Sequence, residues 1–257
     1  MYLLEVRGLT KHFGGVKAIE DVSFRVEGGS IASIIGPNGA GKTTLFNCLT
    51  GITKPTKGSL SLSGTDITGL PSHEIVKLGI ARTFQNIRLF REMTVLENVL
   101  ISQHRKINTG IFGTLLKDRA FLSEERAARE KALEYLDFVG LCEAAHIPSL
   151  NLPYGGQKRL EIARAVATDP VLLLLDEPTA GMNSQETGEI MEIIMRLQKL
   201  GKTVLLIEHD MKVVMGISEN IVVLDHGVKI AEGVPGAIKR DQMVIEAYLG
   251  RQEHAQA

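Results

Sequence analysis

Residues 31–49 read IASIIGPNGAGKTTLFNCL. The apolar run Ile31–Ile35 predicts a buried strand, and Leu45, Phe46 and Leu49 recur at helical spacing. Between them lies Gly36-Pro37-Asn38-Gly39-Ala40-Gly41-Lys42-Thr43, a fit to G-x-x-x-x-G-K-[ST] in a strand–loop–helix setting. The residue types follow from the chemistry. A triphosphate carries several negative charges and has to be held without crowding. Glycines let the backbone curl around it with N–H groups turned inward. The helix starting near Gly41 adds its positive end. Lys42 brings a point charge to the β- and γ-phosphates, and the Thr43 hydroxyl can ligate Mg²⁺. The stretch predicts a nucleoside-triphosphate site.

The chain around it has 257 residues, a net charge of −1 and a 44% hydrophobic fraction, enough for a substantial core. No lysine- or arginine-rich block is present, which argues against nucleic acid as a partner. Cys48 and Cys142 lie far apart and give neither a disulfide framework nor a zinc spacing. The first residues, MYLLEVRG, lack the pattern of a signal peptide. The longest apolar runs fall far short of the roughly 20 residues that span a bilayer. The expectation is a soluble cytoplasmic protein that reaches a membrane only through a partner.

Leu3–Leu9 and Val22–Val26 alternate apolar and polar and predict strands of a half-exposed antiparallel sheet. Leu60 and Leu62 alternate with serines in another strand. From Phe84 to about Ala167 the spacing turns helical. Val95, Val99 and Leu100 form one stripe, and Ala128, Ala132, Leu133 and Leu136 another. Gly110 to Gly113 reads as a loop between helices. Val171–Leu175 is apolar on both faces, as suits a buried parallel strand, and runs into Asp176-Glu177. A helix marked by Ile190, Ile193, Ile194, Leu197 and Leu200 ends at Gly201. The strand Thr203–Ile207 then leads into Glu208-His209-Asp210. Asn220–Leu224 and Val228–Ala231 predict a hairpin. The alternation gives an α/β core with an inserted helical segment.

Asp176 and Glu177 end a buried strand downstream of the phosphate loop. The first carboxylate can hold Mg²⁺, partly through water, and the second can polarise an attacking water. His209 ends a neighbouring core strand; a lone histidine is usually structural, but in this set it reads as a γ-phosphate contact. Residues 152–166 read LPYGGQKRLEIARAV, in which two glycines open a helix and Lys158 and Arg159 follow. That is a second anion-binding helix start, or a glycine-rich entrance with solvated bases.

Taken together, these motifs resemble the ATP-binding cassette (ABC) ATPases over nearly the whole chain. The resemblance implies a P-loop NTPase fold of the ABC-ATPase type, with a small antiparallel β-subdomain and an inserted α-helical subdomain. Residues 1–83 and 168–257 would form the RecA-like core and residues 84–167 the helical subdomain. Nucleotide binding falls to Gly36, Pro37, Asn38, Gly39, Ala40, Gly41, Lys42, Thr43 and Thr44, with Phe13 and Val16 at the adenine. Phe13 by itself could equally be a core residue of the small sheet. Gln85, in RTFQN, stands at the Q-loop and joins Glu177 and His209 in catalysis, and Thr43 and Asp176 at the metal. TAGMN, Thr179–Asn183, stands at the D-loop. Tyr154, Gly155, Gly156 and Gln157 stand at the signature that acts on a partner's ATP. In the family two such subunits sandwich two ATP molecules.

RTFQNIRLFREMTVLENVL, LEIARAV, IEHDMKVVMGIS and EAYLG are similar to one subfamily, the ATP-binding subunits of bacterial branched-chain amino acid importers. The segment from Gln103 to Glu125, a spacer, fits the same group. The resemblance implies two transmembrane permease subunits, a second, non-identical ATPase subunit and, indirectly, an external amino-acid-binding protein. It places the chain on the inner face of the cell membrane, with Arg88, Leu89, Phe90 and Met93 as candidate permease contacts, Leu89 and Phe90 being alternatively core residues. Competing readings are the cassette of another ABC transporter, such as a lipid exporter, a non-transport ABC ATPase, and a P-loop kinase. Two departures stand out. Pro153 replaces the signature serine, Tyr154 the first glycine and Gly156 the glutamine, with the helix start at Gly155-Gly156 and the nearby Lys158 and Arg159 able to replace part of the lost bond, and Asn183 replaces the D-loop aspartate.

Overall fold

The computed structural model describes residues 1–103 and 119–254. The loop expected at Gly110–Gly113 lies outside them, as does most of the spacer expected between Gln103 and Glu125. The chain opens with β1 (Tyr2–Phe13), β2 (Val16–Glu27), β3 (Ile31–Ile35) and α1 (Lys42–Leu49). Next come β4 (Lys57–Leu62), β5 (Thr65–Asp66), α2 (Ser72–Lys77) and β6 (Ile80–Arg82). Then follow α3 (Val95–Gln103), α4 (Arg119–Phe138), a 3₁₀ turn at Ser149–Asn151 and α5 (Tyr154–Ala167). β7 (Leu172–Asp176), α6 (Ser184–Lys199), β8 (Thr203–Ile207) and α7 (Met211–Ile217) alternate after it. The chain closes with β9 (Asn220–Asp225), β10 (Val228–Gly233), α8 (Pro235–Ile238) and α9 (Gln242–His254).

Two sheets result. An antiparallel one runs in the order β2-β1-β4-β5. The other runs β10-β9-β3-β8-β7-β6, with five parallel strands and β10 antiparallel at its edge. Neighbours on the parallel sheet are far apart in sequence, so helices have to cross its faces. Both faces are therefore buried, and the strand sequences are apolar throughout. In β7, Leu172 and Leu174 join the cluster under the antiparallel sheet, while Leu173 and Leu175 join the cluster under the helices. β8 divides the same way, Leu205 and Ile207 against Val204 and Leu206. Val95 and Val99 of α3 and Ala132 and Leu136 of α4 complete the second cluster.

The β1–β2 hairpin is longer than the alternation predicts. Its outer part carries Thr10, Lys11, His12 and Lys17, polar residues that hide the period of two, and register shifts interrupt it between Val6 and Lys11. β6 and α2 were not expected. β6 has three residues, too few to show a period. The β9–β10 turn follows the sequence: His226 (φ 45°) and Gly227 (φ 83°) both sit in the left-handed region that a two-residue hairpin turn requires.

Two polar devices fix ends of these elements. At the start of α6, Asn183 accepts from the backbone of Gln185 (2.9 Å) and Glu186 (3.0 Å), while Glu186 accepts from the Asn183 N–H (3.1 Å). This is a reciprocal capping box, and asparagine serves it as well as aspartate. At the end of β6, the Arg82 guanidinium donates to Asp176 at the end of β7 (2.7 Å) and to Asn47 (2.8 Å) and Thr50 (3.3 Å). It also lies over the rings of Phe46 and Phe84. The arginine and the aspartate are both almost wholly buried, so removing one leaves the other charge without its main partner.

Arg82→Ala is therefore expected to cost roughly 3–5 kcal/mol of stability, read by chemical denaturation. Asn183→Ala should cost about 1 kcal/mol and Asn183→Asp close to nothing. An unchanged denaturation midpoint for Arg82→Ala would mean that the pair contributes no net stability.

Candidate nucleotide site

The loop between β3 and α1 is built from backbone packed on backbone. Gly36 has φ 149°, and a Cβ there would lie 2.0 Å from the Leu224 carbonyl oxygen of β9. Gly41 has φ 100°, and its Cβ would lie 2.5 Å from the Ala18 carbonyl oxygen of β2. Only glycine fits either position. The close approach brings β2 and the β9–β10 turn against the loop, and Gly227 N–H donates to the Ala40 carbonyl (3.2 Å). Lys42 is buried and folds back over the loop, its Nζ donating to the carbonyls of Gly36 (2.6 Å) and Pro37 (3.0 Å). Gly41 precedes α1 without a side-chain cap, so the first-turn N–H groups face the loop mouth uncovered by a capping side chain. Thr43 is exposed there. Phe13 and Val16 sit at the tip of the β1–β2 hairpin. Phe13 is 50% exposed, with the Lys11 ammonium 4.8 Å from its ring centre, so it is a surface platform and not a core residue.

The structure brings three of the expected catalytic residues together. Glu177 has φ 47°, a left-handed conformation that costs a non-glycine residue about 1–3 kcal/mol. Its N–H donates to the Ile207 carbonyl of β8 (2.9 Å), and its side chain accepts from Gln85 Nε2 (3.0 Å). His209 Nδ1 lies 3.9 Å from Glu177 Oε1, beyond hydrogen-bond reach. Carboxylate, amide and imidazole thus converge at the ends of β7 and β8. Asp176, one residue earlier, faces inward to Arg82.

The signature segment departs from expectation. Gly155 and Gly156 are buried, and Gln157 Nε2 bonds to the Leu152 carbonyl (2.9 Å). A Cβ on Gly155 would meet Glu186 of the α6 capping box at 2.5 Å, and the Tyr154 ring lies over Gly181. The start of α5 therefore lies close against Gly181 and the Glu186 side chain. The two bases that follow the helix start have partners within the subunit. Lys158 is buried and donates to the Gln85 carbonyl (3.0 Å), while Arg159 reaches the Val139 carbonyl (3.3 Å) and Glu189 (3.6 Å). Both are committed inside the subunit, and Tyr154 and Pro153 are what the segment exposes.

Several residues of the site were not anticipated. Lys158, Glu161 and Arg164 lie on one face of α5, three residues apart. Lys158 holds the Gln85 carbonyl, Glu161 accepts from the Arg88 N–H (3.0 Å), and Arg164 donates to the Arg88 carbonyl. Burial raises the Glu161 carboxyl above its usual range, against the lowering effect of the Arg88 N–H. α5 thus grips the segment Gln85–Arg88. Its i, i+3, i+6 polar spacing was the available signal. Burial pushes the Tyr248 hydroxyl of α9 up to about 12, and its ring packs on the cluster of Ile35, Ile221 and Val223. Leu89 packs on the core, while Arg88, Phe90 and Met93 are exposed. Among the described residues no helix is long and apolar enough to cross a membrane.

Comparison with known proteins gives concordant matches. The family model described as "ABC transporter" matches residues 19–180, and that of the "Branched-chain amino acid ATP-binding cassette transporter" matches residues 228–254. The high-affinity branched-chain amino acid transport ATP-binding protein BraF of Pseudomonas aeruginosa is 51% identical, covering 96% of this chain and 98% of that protein. The crystal structure of the ADP conformation of an ATP-binding cassette of an ABC transporter superposes with TM-score 0.85 at 34% identity, over 97% of this chain and 99% of that one. A dimeric cassette in a post-hydrolysis state, bound to ADP and Pi, matches with TM-score 0.75 at 30% identity, over 90% of this chain and 98% of that one. The loop geometry, the convergence of Glu177, Gln85 and His209 and these matches agree, and the chain belongs to the ABC transporter ATP-binding family.

Proposed function

We propose that this chain is the ATP-hydrolysing subunit of an importer of branched-chain amino acids. It works at the inner face of the cell membrane, bound to two permease subunits and paired with a second, non-identical ATPase subunit. An external binding protein delivers the amino acid. The observation that carries the hydrolytic reading is Glu177, held in a strained conformation, bonded by Gln85 and flanked by His209. Strain of this kind persists only where surrounding bonds over-determine it, and it concentrates where geometry matters. The likeness to BraF over 96% of the chain supports the substrate class.

In this reading ATP lies on the Gly36–Thr44 loop with its adenine against Phe13 and Val16. Lys42 and the first-turn N–H groups of α1 meet the phosphates. Glu177 orients and polarises the attacking water, Gln85 holds Glu177, and His209 meets the γ-phosphate. Thr43 and Asp176, the latter bonded to Arg82 through Oδ2, offer hard oxygen donors. That set fits Mg²⁺, which keeps several waters and takes few protein ligands beside phosphate oxygens. Bound there, the ion would neutralise charge on the β- and γ-phosphates. Residues 84–167 form the helical subdomain, and the exposed Arg88, Phe90 and Met93 face the permease.

The two ATP sites of such a pair would be unequal. Pro153 has neither a hydroxyl nor a backbone N–H to offer a partner's γ-phosphate. Lys158 and Arg159, turned inward, do not compensate. The site completed by this chain's signature lacks one charge-assisted hydrogen bond, about 1.5–3 kcal/mol. The site built on its own phosphate loop, Glu177 and His209 is complete once a partner supplies a signature.

Glu177→Gln keeps the shape and removes the charge. It is expected to lower ATP hydrolysis by about 10²–10⁴ with ATP affinity retained. Hydrolysis near wild type would remove Glu177 from its role as base. In the assembled transporter, Glu177→Gln in this subunit should reduce amino acid uptake more than the equivalent change in its partner. Equal losses, or a fully active homodimer of this chain, would rule out the asymmetry.

A further inference from the structure

We infer that Glu208 is a positioning residue that clamps the two loops carrying Glu177 and His209 into one unit. The inference rests on the reading of those two residues as hydrolytic. Glu208 follows β8 and is 0% exposed, a charged group wholly removed from solvent. Its two oxygens are divided between two loops. Oε1 accepts from the Thr179 N–H (3.0 Å) and the Thr179 hydroxyl (2.6 Å). Oε2 accepts from the backbone N–H of His209 (3.1 Å) and, at 3.5 Å, of Asp210. Thr179 lies two residues beyond Glu177, so the first oxygen fixes the loop that holds Glu177 in its left-handed conformation. The second oxygen fixes the backbone of His209 and lies 3.9 Å from its Nδ1, and that side chain is 60% exposed, with little packing to place it otherwise. The same carboxylate therefore sets both sides of the 3.9 Å separation between His209 Nδ1 and Glu177 Oε1.

The donor set explains why the residue is a carboxylate. The donors are three backbone N–H groups and one hydroxyl. A carboxylate presents an acceptor oxygen to each loop, which an amide does not. A glutamine of the same shape turns an NH₂ toward one loop, donor against donor, and leaves a buried N–H without a partner whichever way the amide faces. Glu208→Gln should therefore release one loop from the other while leaving the phosphate loop untouched. A displacement of catalytic groups by an ångström lowers turnover on the order of 10²-fold, so a drop of about 10–100-fold in kcat is expected.

The test compares Glu208→Gln, His209→Ala and the double variant in the full chain. ATP turnover, affinity for a fluorescent ATP analogue and thermal melting are measured on each. The clamp predicts that Glu208→Gln lowers kcat by about 10–100-fold with analogue affinity within about twofold of wild type. It also predicts that Glu208→Gln adds less than about threefold to the loss already caused by His209→Ala, because both act through one geometry. Wild-type turnover in Glu208→Gln, or losses that multiply in the double variant, would overturn the clamp. Full turnover in His209→Ala alone would overturn the hydrolytic reading of that residue, and the clamp with it. If Glu208→Gln does not fold, Thr179→Val replaces it in the same comparison. That variant deletes one hydroxyl donor and should lower kcat several-fold at unchanged analogue affinity; wild-type turnover there would count against the clamp.

Discussion

The rest of the site depends on the approach of three backbones at the phosphate loop. Gly36 lies against the Leu224 carbonyl, and Gly41 and Gly227 lie against Ala18. No side chain stands between these segments, so their separation is set by van der Waals contact of main-chain atoms and cannot relax by a change of rotamer. The loop is therefore placed by both sheets at once. β2 brings the antiparallel sheet and its exposed hairpin tip to one side of the loop, and β9 brings the parallel sheet to the other. The position of Phe13 relative to Lys42 follows from this contact.

The nucleotide loop, the carboxylates at the end of β7 and the histidine after β8 were legible in the sequence because each occupies a junction with its own signal. An apolar run stops, and a residue with chemistry follows. The capping box of α6 has a local signal too, Asn183-Ser184-Gln185-Glu186, but the reading of Asn183 as a replaced aspartate passed over it. What could not be read were partnerships across sequence. Arg82 and Asp176 are separated by 94 positions, and Thr179 and Glu208 by 29. A lone arginine before a Q-loop, or a glutamate before a histidine, has no local pattern that predicts burial. Phe13 could not be assigned from the sequence for a related reason. An aromatic residue at the end of an alternating strand looks the same whether the strand end is covered or bare, and only the length of the hairpin decides it.

Lys158 shows the converse error. Two bases in the first turns of a glycine-opened helix have the pattern of an anion site. That pattern does not say which way the helix faces. Leu160, Ile162, Ala163 and Val166 commit α5 to the core cluster. Once that face is fixed, Lys158, Glu161 and Arg164 fall on the side turned to the Q-loop. Packing of the apolar face thus decides the role of the polar one.

The loops that carry the chemistry are held by buried polar groups rather than by apolar packing. Arg82 holds Asp176, Lys158 and its neighbours hold the segment Gln85–Arg88, and Glu208 holds Thr179 and His209. This choice has a physical consequence. Apolar packing degrades gradually when a loop shifts, since each displaced contact is worth little. A buried charge with a full set of donors behaves differently: it is either satisfied or costly, with few tolerable states between. Loops held in this way have discrete arrangements, set by hydrogen bonds that all make or all break. An intermediate arrangement of these loops would leave buried charges unpaired. The strained backbone of Glu177 fits the same logic. It is kept by hydrogen bonds at its own N–H and two residues away, and it returns to an ordinary conformation only if that set is broken together.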